Sequence, residues 1–455
     1  MSLRLLCAIY IGRLISLISR FFNIGAGATW SGKIALFIAP DCIKLLASRY
    51  PTRIVVAGTN GKTTTAAMIF HILESAGNQI TRNETGANME NGIAGALIAN
   101  GFPDAERKGA CIFELDEAAF RLLTPRLKQT HIILLNLFRD QLDRYGEVDT
   151  IADQWRDALN TLQYHPQMIL NADDPMIAHI GAGRENVSYF GLNDERAAVD
   201  RMPHAADSNY CPACGGRLQY EAVFFSHIGK WQCPSCMRKR PQLTIDETVY
   251  PLPGIYNRYN ALAATLLSLR LGIDQKLIAG ALQSFQPAFG RQEEFFALGR
   301  RVKMLLSKNP ASFNESIRTA LVDKNARTVI VALNDRIPDG TDVSWIWDVD
   351  VEPLINRAHS VICTGDRVYD MGLRIKYSLK HENIKTPEQK NPSSDGKQKS
   401  NGTIQQVSNV TIEPNLKKAI TGGIEKTPPG ETLYILPTYS AMLEIRKILT
   451  GRKIL

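Results

Sequence analysis

The chain has 455 residues, of which 44% are hydrophobic, and its formal net charge is +8. This length allows two or three domains with complete hydrophobic cores. The positive charge suits an anionic ligand or a membrane surface, but the chain contains no arginine-rich block and we expect no nucleic-acid partner. Because the sequence has no recognisable cleavable secretion signal, we expect a cytoplasmic protein.

Residues 1–48 are predicted to form an N-terminal amphipathic helix and its lead-in to the first domain. Leucine and isoleucine dominate residues 3–22, but three arginines interrupt them. An arginine near the middle of a bilayer costs roughly 3 kcal/mol or more, so we do not expect a transmembrane helix. Arg13, Ser16 and Arg20 share one helical stripe. Two interpretations stay open: a helix on the inner face of the membrane, and a helix packed on the protein's own core.

Short apolar runs alternate with helical patterns over residues 49–297, which we assign to a central α/β domain. The runs predicted as strands are Ile54–Ala57, Cys111–Glu114, His131–Leu135 and Met168–Leu170. This alternation is typical of a mostly parallel sheet with helices on both faces. A cysteine-containing insert interrupts it at about residues 205–241.

The segment Gly58–Thr65, which reads Gly-Thr-Asn-Gly-Lys-Thr-Thr-Thr, directly follows the first predicted strand. Glycines let backbone N–H groups turn inward around a phosphate, while Lys62 would neutralise its charge and Thr63 would hold Mg²⁺. Val56 departs from the usual P-loop, since it stands where the outer glycine would be. A glycine turn without a ligand is the alternative, but the context favours an ATP-binding loop. The residues expected at the nucleotide are Gly58, Thr59, Asn60, Gly61, Lys62, Thr63 and Thr64.

Polar residues also follow the next two predicted strands, where the ligands of open α/β sheets gather. Glu114 ends one strand and is predicted to bind Mg²⁺ with Thr63, directly or through water. Residues 136–143 follow the next strand and are unusually polar for such a turn. Helix capping by Asp140, or a surface ion pair, is the alternative to a functional role for this segment.

Two asparagines begin a later predicted helix. Asn257 and Asn260 are three residues apart, and therefore lie on one helical face. Their amides are predicted to read an adenine edge, and N-capping by Asn257 is the alternative.

Four of the eight cysteines form two Cys-x-x-Cys pairs, Cys211/Cys214 and Cys233/Cys236. Four thiolates at this spacing can close tetrahedrally on Zn²⁺. Redox pairs or two disulfides are the alternatives. Since sulfur would fill all four positions, the predicted zinc is structural, and the insert is predicted to be a four-cysteine zinc ribbon. The remaining cysteines are scattered and are predicted to occupy ordinary apolar or core positions: Cys7, Cys42, Cys111 and Cys363.

Residues 298–455 are predicted to form a Rossmann-like α/β domain. Its predicted elements are the strands Thr328–Leu333, Ser360–Cys363 and Thr432–Leu436 and a helix at about Ser440–Leu449. Residues 380–409 are rich in Lys, Gln, Asn and Ser and nearly free of large apolar side chains, so we expect a flexible insert.

These motifs resemble, in order and spacing, the Mur ligase superfamily of ATP-dependent amide-forming enzymes, which includes folylpolyglutamate synthases. The matching positions are Gly58–Thr65, Glu114, Asn136–Asp143, Asn257, Asn260 and Phe289–Glu293. The last motif adds Arg291 to the residues expected at the nucleotide. One departure is Gln141, which stands where many Mur ligases carry a histidine, and it puts metal ligation by that side chain in doubt.

Within the superfamily, the cysteine insert and three C-terminal motifs resemble the ligase subunits of lipid II isoglutaminyl synthases. These motifs are Ser307–Pro310, Asp339–Asp350 and Leu436–Tyr439. The resemblance covers nearly the whole chain apart from residues 380–409. It implies that the α-carboxyl of D-glutamate in the lipid II stem peptide is phosphorylated by ATP, with Lys62 and Glu114 as catalytic residues. Ammonia would then convert the acyl phosphate to D-isoglutamine at the membrane surface.

Ammonia would have to come from a partner. Cys111 and Cys363 lack the Gly-x-Cys-x-Gly setting of a glutaminase nucleophile. The resemblance implies a heterodimer with a GatD-like glutaminase, whose Cys–His pair is completed by an aspartate of the ligase subunit. We predict Asp348 in that role, with Asp350 as second choice. A strand-end or capping role for both carboxylates is the alternative.

Two other functions stay open. The first is another Mur-type ligase that adds an amino acid to a peptide or a folate, although Asn309-Pro310 and their neighbours replace the aspartate–histidine element usual in such ligases. The second is a zinc-ribbon ATPase that acts as a binding or scaffold module.

Overall fold

We describe the fold from a computed structural model of the chain. The residues described are 2–22, 27–83, 86–100, 109–140, 147–199, 202–204, 206–286, 292–381 and 409–451. They form two compact units that meet in the sequence between residues 291 and 292, a little before the boundary expected between 297 and 298. Each unit is described separately.

The first unit contains a six-stranded parallel sheet with the order β2-β3-β1-β4-β5-β6. Its strands are β1 Thr52–Ala57, β2 Gln79–Arg82, β3 Gly109–Leu115, β4 His131–Leu134, β5 Gln167–Asn171 and β6 Val187–Phe190. Successive side chains of a strand point to opposite faces, and residues 54–57 of β1 are all buried. Both faces of the central strand are therefore covered, and the predicted parallel sheet is confirmed.

Helices surround this sheet. They are α1 Leu3–Phe22, α2 Gly27–Ile38, α3 Cys42–Ala47, α4 Lys62–Ser75, α5 Glu90–Asn100, α6 Glu117–Leu127, α7 Val148–Asn160, α8 Pro175–Gly181, α9 Ile255–Arg270 and α10 Gln275–Gln283. None of the helices in the described ranges is long and apolar enough to cross a membrane.

The N-terminal region contains three helices where one was predicted. Leu5, Ala8 and Ile9 of α1 join the main buried cluster, so this side of the helix packs on the protein's own core. Helix α2 was not predicted. It approaches α5 so closely that a Cβ on Gly32 would lie 1.8 Å from the carbonyl oxygen of Asn91. The glycine that permits this close packing has a low helix propensity, so the sequence contains no signal for a helix here.

The cysteine-containing insert forms an antiparallel hairpin between its two Cys-x-x-Cys pairs. Its strands are β7 Gln219–Phe225 and β8 Ile228–Gln232. Isolated bridges pair Tyr210 with Arg217 and Gln232 with Lys239, and each bridge closes one knuckle. The insert therefore has the ribbon architecture that was predicted.

The second unit contains a six-stranded sheet with the order β13-β12-β11-β14-β10-β9. Its strands are β9 Glu293–Ala297, β10 Arg300–Met304, β11 Ala326–Ala332, β12 Ser360–Thr364, β13 Val410–Ile412 and β14 Thr432–Pro437. Its helices are α11 Pro310–Val322, α12 Glu352–Arg357, α13 Val368–His381, α14 Leu416–Lys426 and α15 Tyr439–Thr450. Strands β10 to β14 pair in parallel, as expected of a Rossmann-like domain, whereas β9 pairs antiparallel at the edge. Most of the predicted flexible insert, residues 382–408, lies outside the described residues.

Candidate nucleotide and metal sites

Glycine conformations and bonds to the end of β4 shape the loop between β1 and α4. Gly58 and Gly61 have φ values of +144° and +90°, and Gly61 is the N-cap of α4. Thr59 donates its N–H to the carbonyl of Asn136 at 2.9 Å. Asn60 and Asn136 exchange two further hydrogen bonds, at 2.8 and 3.1 Å. The helix N-terminus and loop amides thus form the kind of cradle that binds phosphate.

Lys62 folds back over this loop. Its Nζ donates to the carbonyl oxygen of Gly58 and, at 3.3 Å, to that of Thr59. The same atom lies 3.7 Å from Oε2 of Glu117, which is buried in the first turn of α6. Glu117 was not among the predicted site residues, although its position just after β3 was a usable signal.

Thr63 and Glu114 meet as predicted. Oγ1 of Thr63 donates to Oε2 of Glu114 at 2.9 Å, and both side chains are buried. Asn83, directly after β2, holds the backbone of Glu114, because its side-chain amide accepts from the N–H of Glu114 at 3.0 Å and donates to the carbonyl at 3.1 Å. A hydroxyl and a carboxylate are hard oxygen donors of the type that Mg²⁺ prefers, so the pair fits that ion. Thr64 is buried in the first turn of α4.

Asn257 and Asn260 lie on one face of α9, as expected. The N-cap of this helix is Gly254, so N-capping by Asn257 is wrong; its Nδ2 donates to the carbonyl of Pro253 at 2.6 Å. Nδ2 of Asn260 donates to Oδ1 of Asn257 at 3.2 Å, and Oδ1 of Asn260 accepts from Thr65 at 3.2 Å. Asn260 thereby reaches α4 just after the loop. An adenine contact by either amide stays a prediction.

Other predicted positions fall elsewhere. Gln141 and Arg291 lie outside the described residues. Asp140 is buried at the end of the described segment 109–140, and its role stays a prediction. Of the scattered cysteines, Cys42, Cys111 and Cys363 are buried as predicted. Cys7 is a correction: it is exposed, because that side of α1 faces away from the core.

The four clustered cysteines converge on one point. Their sulfur atoms all lie within 4.8 Å of one another, with 3.6 Å between Cys211 and Cys236 and 3.5 Å between Cys214 and Cys233. A disulfide would require about 2.05 Å, whereas sulfurs on a tetrahedral Zn²⁺, with Zn–S of about 2.3 Å, lie about 3.8 Å apart. The cluster can hold a metal ion, and the disulfide alternative does not fit.

The ribbon is tied to the sheet next to β5. Nε1 of Trp231 donates to the carbonyl of Ala172 at 2.9 Å. Arg240 donates to Oδ1 of Asp173 at 3.0 Å, and the hydroxyl of Tyr259 donates to Oδ2 at 2.7 Å. Burial raises the pKa of Asp173 to about 6, even though the guanidinium of Arg240 opposes that shift. One carboxyl therefore joins the ribbon, the sheet and α9.

The tip of the ribbon hairpin reaches the segment after β4. The ring of His227 is buried, 5.0 Å from the ring of Phe138. Nε2 of His227 lies 3.6 Å from Oδ2 of Asp174, which also accepts the N–H of Leu137 at 2.9 Å. Since Phe138 N–H donates to Oγ1 of Thr59 at 3.0 Å, the ribbon supports the same segment that shapes the glycine-rich loop.

The two C-terminal candidate aspartates differ in their surroundings. Asp348 is half-buried at the end of a 3₁₀ turn, Ser344–Asp348, beside the exposed Trp347. Asp350 exchanges two hydrogen bonds with the side chain of Asn314 on α11: its N–H donates at 2.8 Å and its carboxylate accepts at 3.0 Å. This exchange ties Asp350 to α11.

A parallel α/β unit with a Gly-Lys-Thr loop and a carboxylate beside it is typical of a nucleotide-binding enzyme. The family profile of the Mur ligase middle domain matches residues 56–268. The fold is shared with a pseudomurein peptide ligase type C from Methanothermus fervidus, with a TM-score of 0.63 at 20% identity over 88% of this chain and 78% of that one. The chain is an ATP-dependent ligase with the Mur ligase fold.

Relatives that align with most of the chain identify the particular family. The profile described as MurT ligase C-terminal matches residues 306–442. The chain is 30% identical to the lipid II isoglutaminyl synthase (glutamine-hydrolyzing) subunit MurT of Streptococcus pneumoniae strain ATCC BAA-255 / R6, over 95% of this chain and 94% of that protein. It is also 30% identical to the subunit of that name from Staphylococcus aureus strain COL, over 77% and 83%. The chain belongs to the MurT family, and the resemblance seen in its motifs is confirmed.

Proposed function

We propose that this chain is the ligase subunit of a lipid II isoglutaminyl synthase. It converts the α-carboxyl of D-glutamate in the lipid II stem peptide to the amide of D-isoglutamine, in peptidoglycan synthesis. The observation that carries the proposal is the 30% identity, over 95% of the chain, to a protein bearing that name. The MurT-type C-terminal match over residues 306–442 argues against a ligase that adds an amino acid or a folate glutamate.

The chemistry needs an activated carboxyl, because a carboxylate oxygen does not leave by itself. The carboxylate attacks the γ-phosphorus of ATP, ADP leaves, and ammonia then displaces phosphate from the acyl phosphate. Lys62 and the amides of residues 58–64 hold the phosphates, and Thr63 and Glu114 supply oxygens that would hold Mg²⁺. When bound, Mg²⁺ stabilises the charge on the phosphoryl group being transferred.

The four cysteine sulfurs are proposed to bind Zn²⁺ in a structural site. Support comes from their mutual distances and from the donor set, since four thiolates leave no open position for a water. Reduced thiolates and the use of ATP suit the cytoplasm, where we place the protein. Lipid II would be met at the inner face of the membrane.

Nitrogen is proposed to come from a GatD-like glutaminase in a heterodimer with this chain. Asp348 is the residue proposed to complete the partner's Cys–His pair. The choice rests on the position of Asp348 directly after Trp347, with Asp350, which Asn314 ties to α11, as second choice.

Oxygen transfer tests this mechanism. Lipid II carrying ¹⁸O in the D-glutamate α-carboxyl is incubated with the chain, ATP, Mg²⁺ and ammonium. One labelled oxygen should appear in the released phosphate for each amide formed, because that oxygen bridges carbon and phosphorus in the acyl phosphate. Phosphate without label, despite amide formation, would contradict the mechanism. The Lys62→Ala variant should release neither product.

A further inference from the structure

Helix α1 exposes large apolar residues along the whole of its outer side. Its side toward the protein is mixed: Leu5 and Ile9 are buried near the N-terminus of the helix, followed by the small and polar Ser16 and Ser19, which are 7% and 8% exposed. Its outer side carries large apolar residues: Leu3, Tyr10, Leu14, Leu17 and Phe21 are between 57% and 84% exposed. We call these five residues the outer apolar face. Soluble helices normally bury the stripe that this helix exposes.

Small residues lie where the N-terminal helices contact one another. A Cβ on Gly12 of α1 would lie 3.1 Å from Ile98 of α5 and 3.4 Å from the carbonyl oxygen of Ser31 on α2. Gly32 leaves no room for a Cβ against the backbone of α5. Helices that meet through small residues and turn large apolar side chains outward are typical of a lipid environment, where burial inside the protein offers no advantage over lipid.

Helix α2 continues this pattern. Trp30 and Phe37 are 58% and 89% exposed and are seven residues apart, so they lie on one side of the helix. Lys33 lies between them on that side, with its Nζ 5.7 Å from the centre of the Trp30 ring. Tryptophan and lysine side by side suit the boundary between acyl chains and headgroups, because each has an apolar body and a polar end.

The charge of these two helices indicates what kind of surface they bind. The first 40 residues contain Arg4, Arg13, Arg20 and Lys33, and the first acidic residue is Asp41. A segment with basic residues alone is attracted to anionic lipid headgroups. Arg13 also donates from Nε to the carbonyl of Ile98 at 3.0 Å, which keeps α1 fixed on α5. The helix is thus held flat on the protein surface.

We propose that α1 and α2 form a membrane-docking face that lies in the plane of an anionic bilayer, with the outer apolar face at the boundary between headgroups and acyl chains. Such helices bind through buried apolar area together with electrostatic attraction. The proposal stands on this surface and not on the proposed reaction. If both hold, docking brings the ligase to a lipid-linked substrate.

Flotation with vesicles tests the proposal. The full chain should float with vesicles of phosphatidylglycerol and phosphatidylethanolamine, and less with phosphatidylcholine alone. The double variant Leu14→Glu, Leu17→Glu should lower the vesicle-bound to free ratio by about tenfold or more, since it places two charges on the apolar face. The matched control is Val322→Glu, Ile337→Glu, which alters two residues that are 74% and 88% exposed in the second unit and should bind like the parent.

Trp30 provides a second readout that does not depend on activity. Lipids brominated on the acyl chain should quench the fluorescence of the parent, and the Trp30→Phe variant should lose that quenching while Trp347→Phe keeps it. Absence of vesicle binding by a folded parent, or equal binding by the Leu14→Glu, Leu17→Glu variant, would overturn the proposal. A parent dimer that this variant dissociates, without any vesicle binding, would assign the face to a second copy instead. The variant should still amidate detergent-solubilised lipid II, so loss of docking is distinguishable from failure of the proposed reaction.

Discussion

A Cβ placed on Gly61 would stand 2.2 Å from Oδ1 of Asn260, so the loop and α9 meet at a point with no room for a side chain. The same oxygen accepts a hydrogen bond from Thr65, a residue 195 positions earlier in the sequence. The start of α4 is therefore fixed from behind by α9, and the phosphate-binding loop depends on both contacts.

Gly61→Ala should lower ATP affinity by about tenfold or more, because strain at φ +90° and the clash with Asn260 together cost about 1–3 kcal/mol. Titration calorimetry with an ATP analogue and Mg²⁺ measures the effect. Gly77→Ala is the matched control: it has a similar φ, +80°, with open space around the missing Cβ, at the other end of α4. Equal affinities for the two variants would refute a role for the contact with Asn260.

Asp348→Asn should abolish amidation supported by glutamine and leave amidation supported by ammonium largely intact. The reason is that the proposed role of this carboxylate lies in the partner's glutaminase site. Rates with each nitrogen source, measured on the heterodimer, provide the check. Asp350→Asn should weaken the tie to Asn314 and affect both nitrogen sources alike. A proportional loss of both activities in Asp348→Asn would remove it from the glutaminase site.

Removal of the metal should lower the thermal stability of the first unit. The purified chain should contain one Zn²⁺ per molecule by elemental analysis, and Cys214→Ser should lose it and melt at a lower temperature. The ribbon should then release the contacts of Trp231 and Arg240 with the sheet. Cys7→Ser, at an exposed cysteine outside the cluster, is the control and should keep both zinc and melting temperature. A full complement of zinc in Cys214→Ser would contradict the site.

Because of Asp173, the free energy of unfolding should fall as the pH rises. Burial raises its folded-state pKa from 3.8 to about 6, so the folded chain keeps a proton that the unfolded chain has released. The contribution of Asp173 to the free energy of unfolding is fully present below pH 4. It is lost as the pH rises through 6, by about 3 kcal/mol in total. Asp173→Asn should remove this pH dependence. Between pH 4 and pH 7 the free energy of unfolding of the variant should therefore rise relative to that of the parent. Parallel pH profiles would contradict the assignment.

The central strands and the loop could be predicted because their signals are local. β1, β3, β4 and β5 are continuous apolar runs with polar residues at their ends, as strands buried on both faces require. The edge strands β2 and β6 were missed, since they are short and partly exposed. The spacing of the four cysteines likewise predicted a cluster that the fold brings together.

Positions that depend on tertiary contacts could not be read from the sequence. Asn83 supports Glu114 from the position just after β2, a strand that was not predicted, and Glu117 pairs with Lys62 across two elements. An amphipathic helix was predicted near the N-terminus, but a helical period identifies two stripes without saying which one faces the protein. Gly12 of α1 contributes to that choice, because its missing side chain lets α2 and α5 approach this side of the helix.

The most direct test of the account is mass spectrometry of lipid II after incubation with this chain, ATP, Mg²⁺ and ammonium, with no glutaminase present. We expect the stem-peptide D-glutamate to change from acid to amide, with one ADP formed for each amide. ATP hydrolysis without amide formation, both here and after addition of the glutaminase and glutamine, would contradict the assignment of lipid II as the substrate.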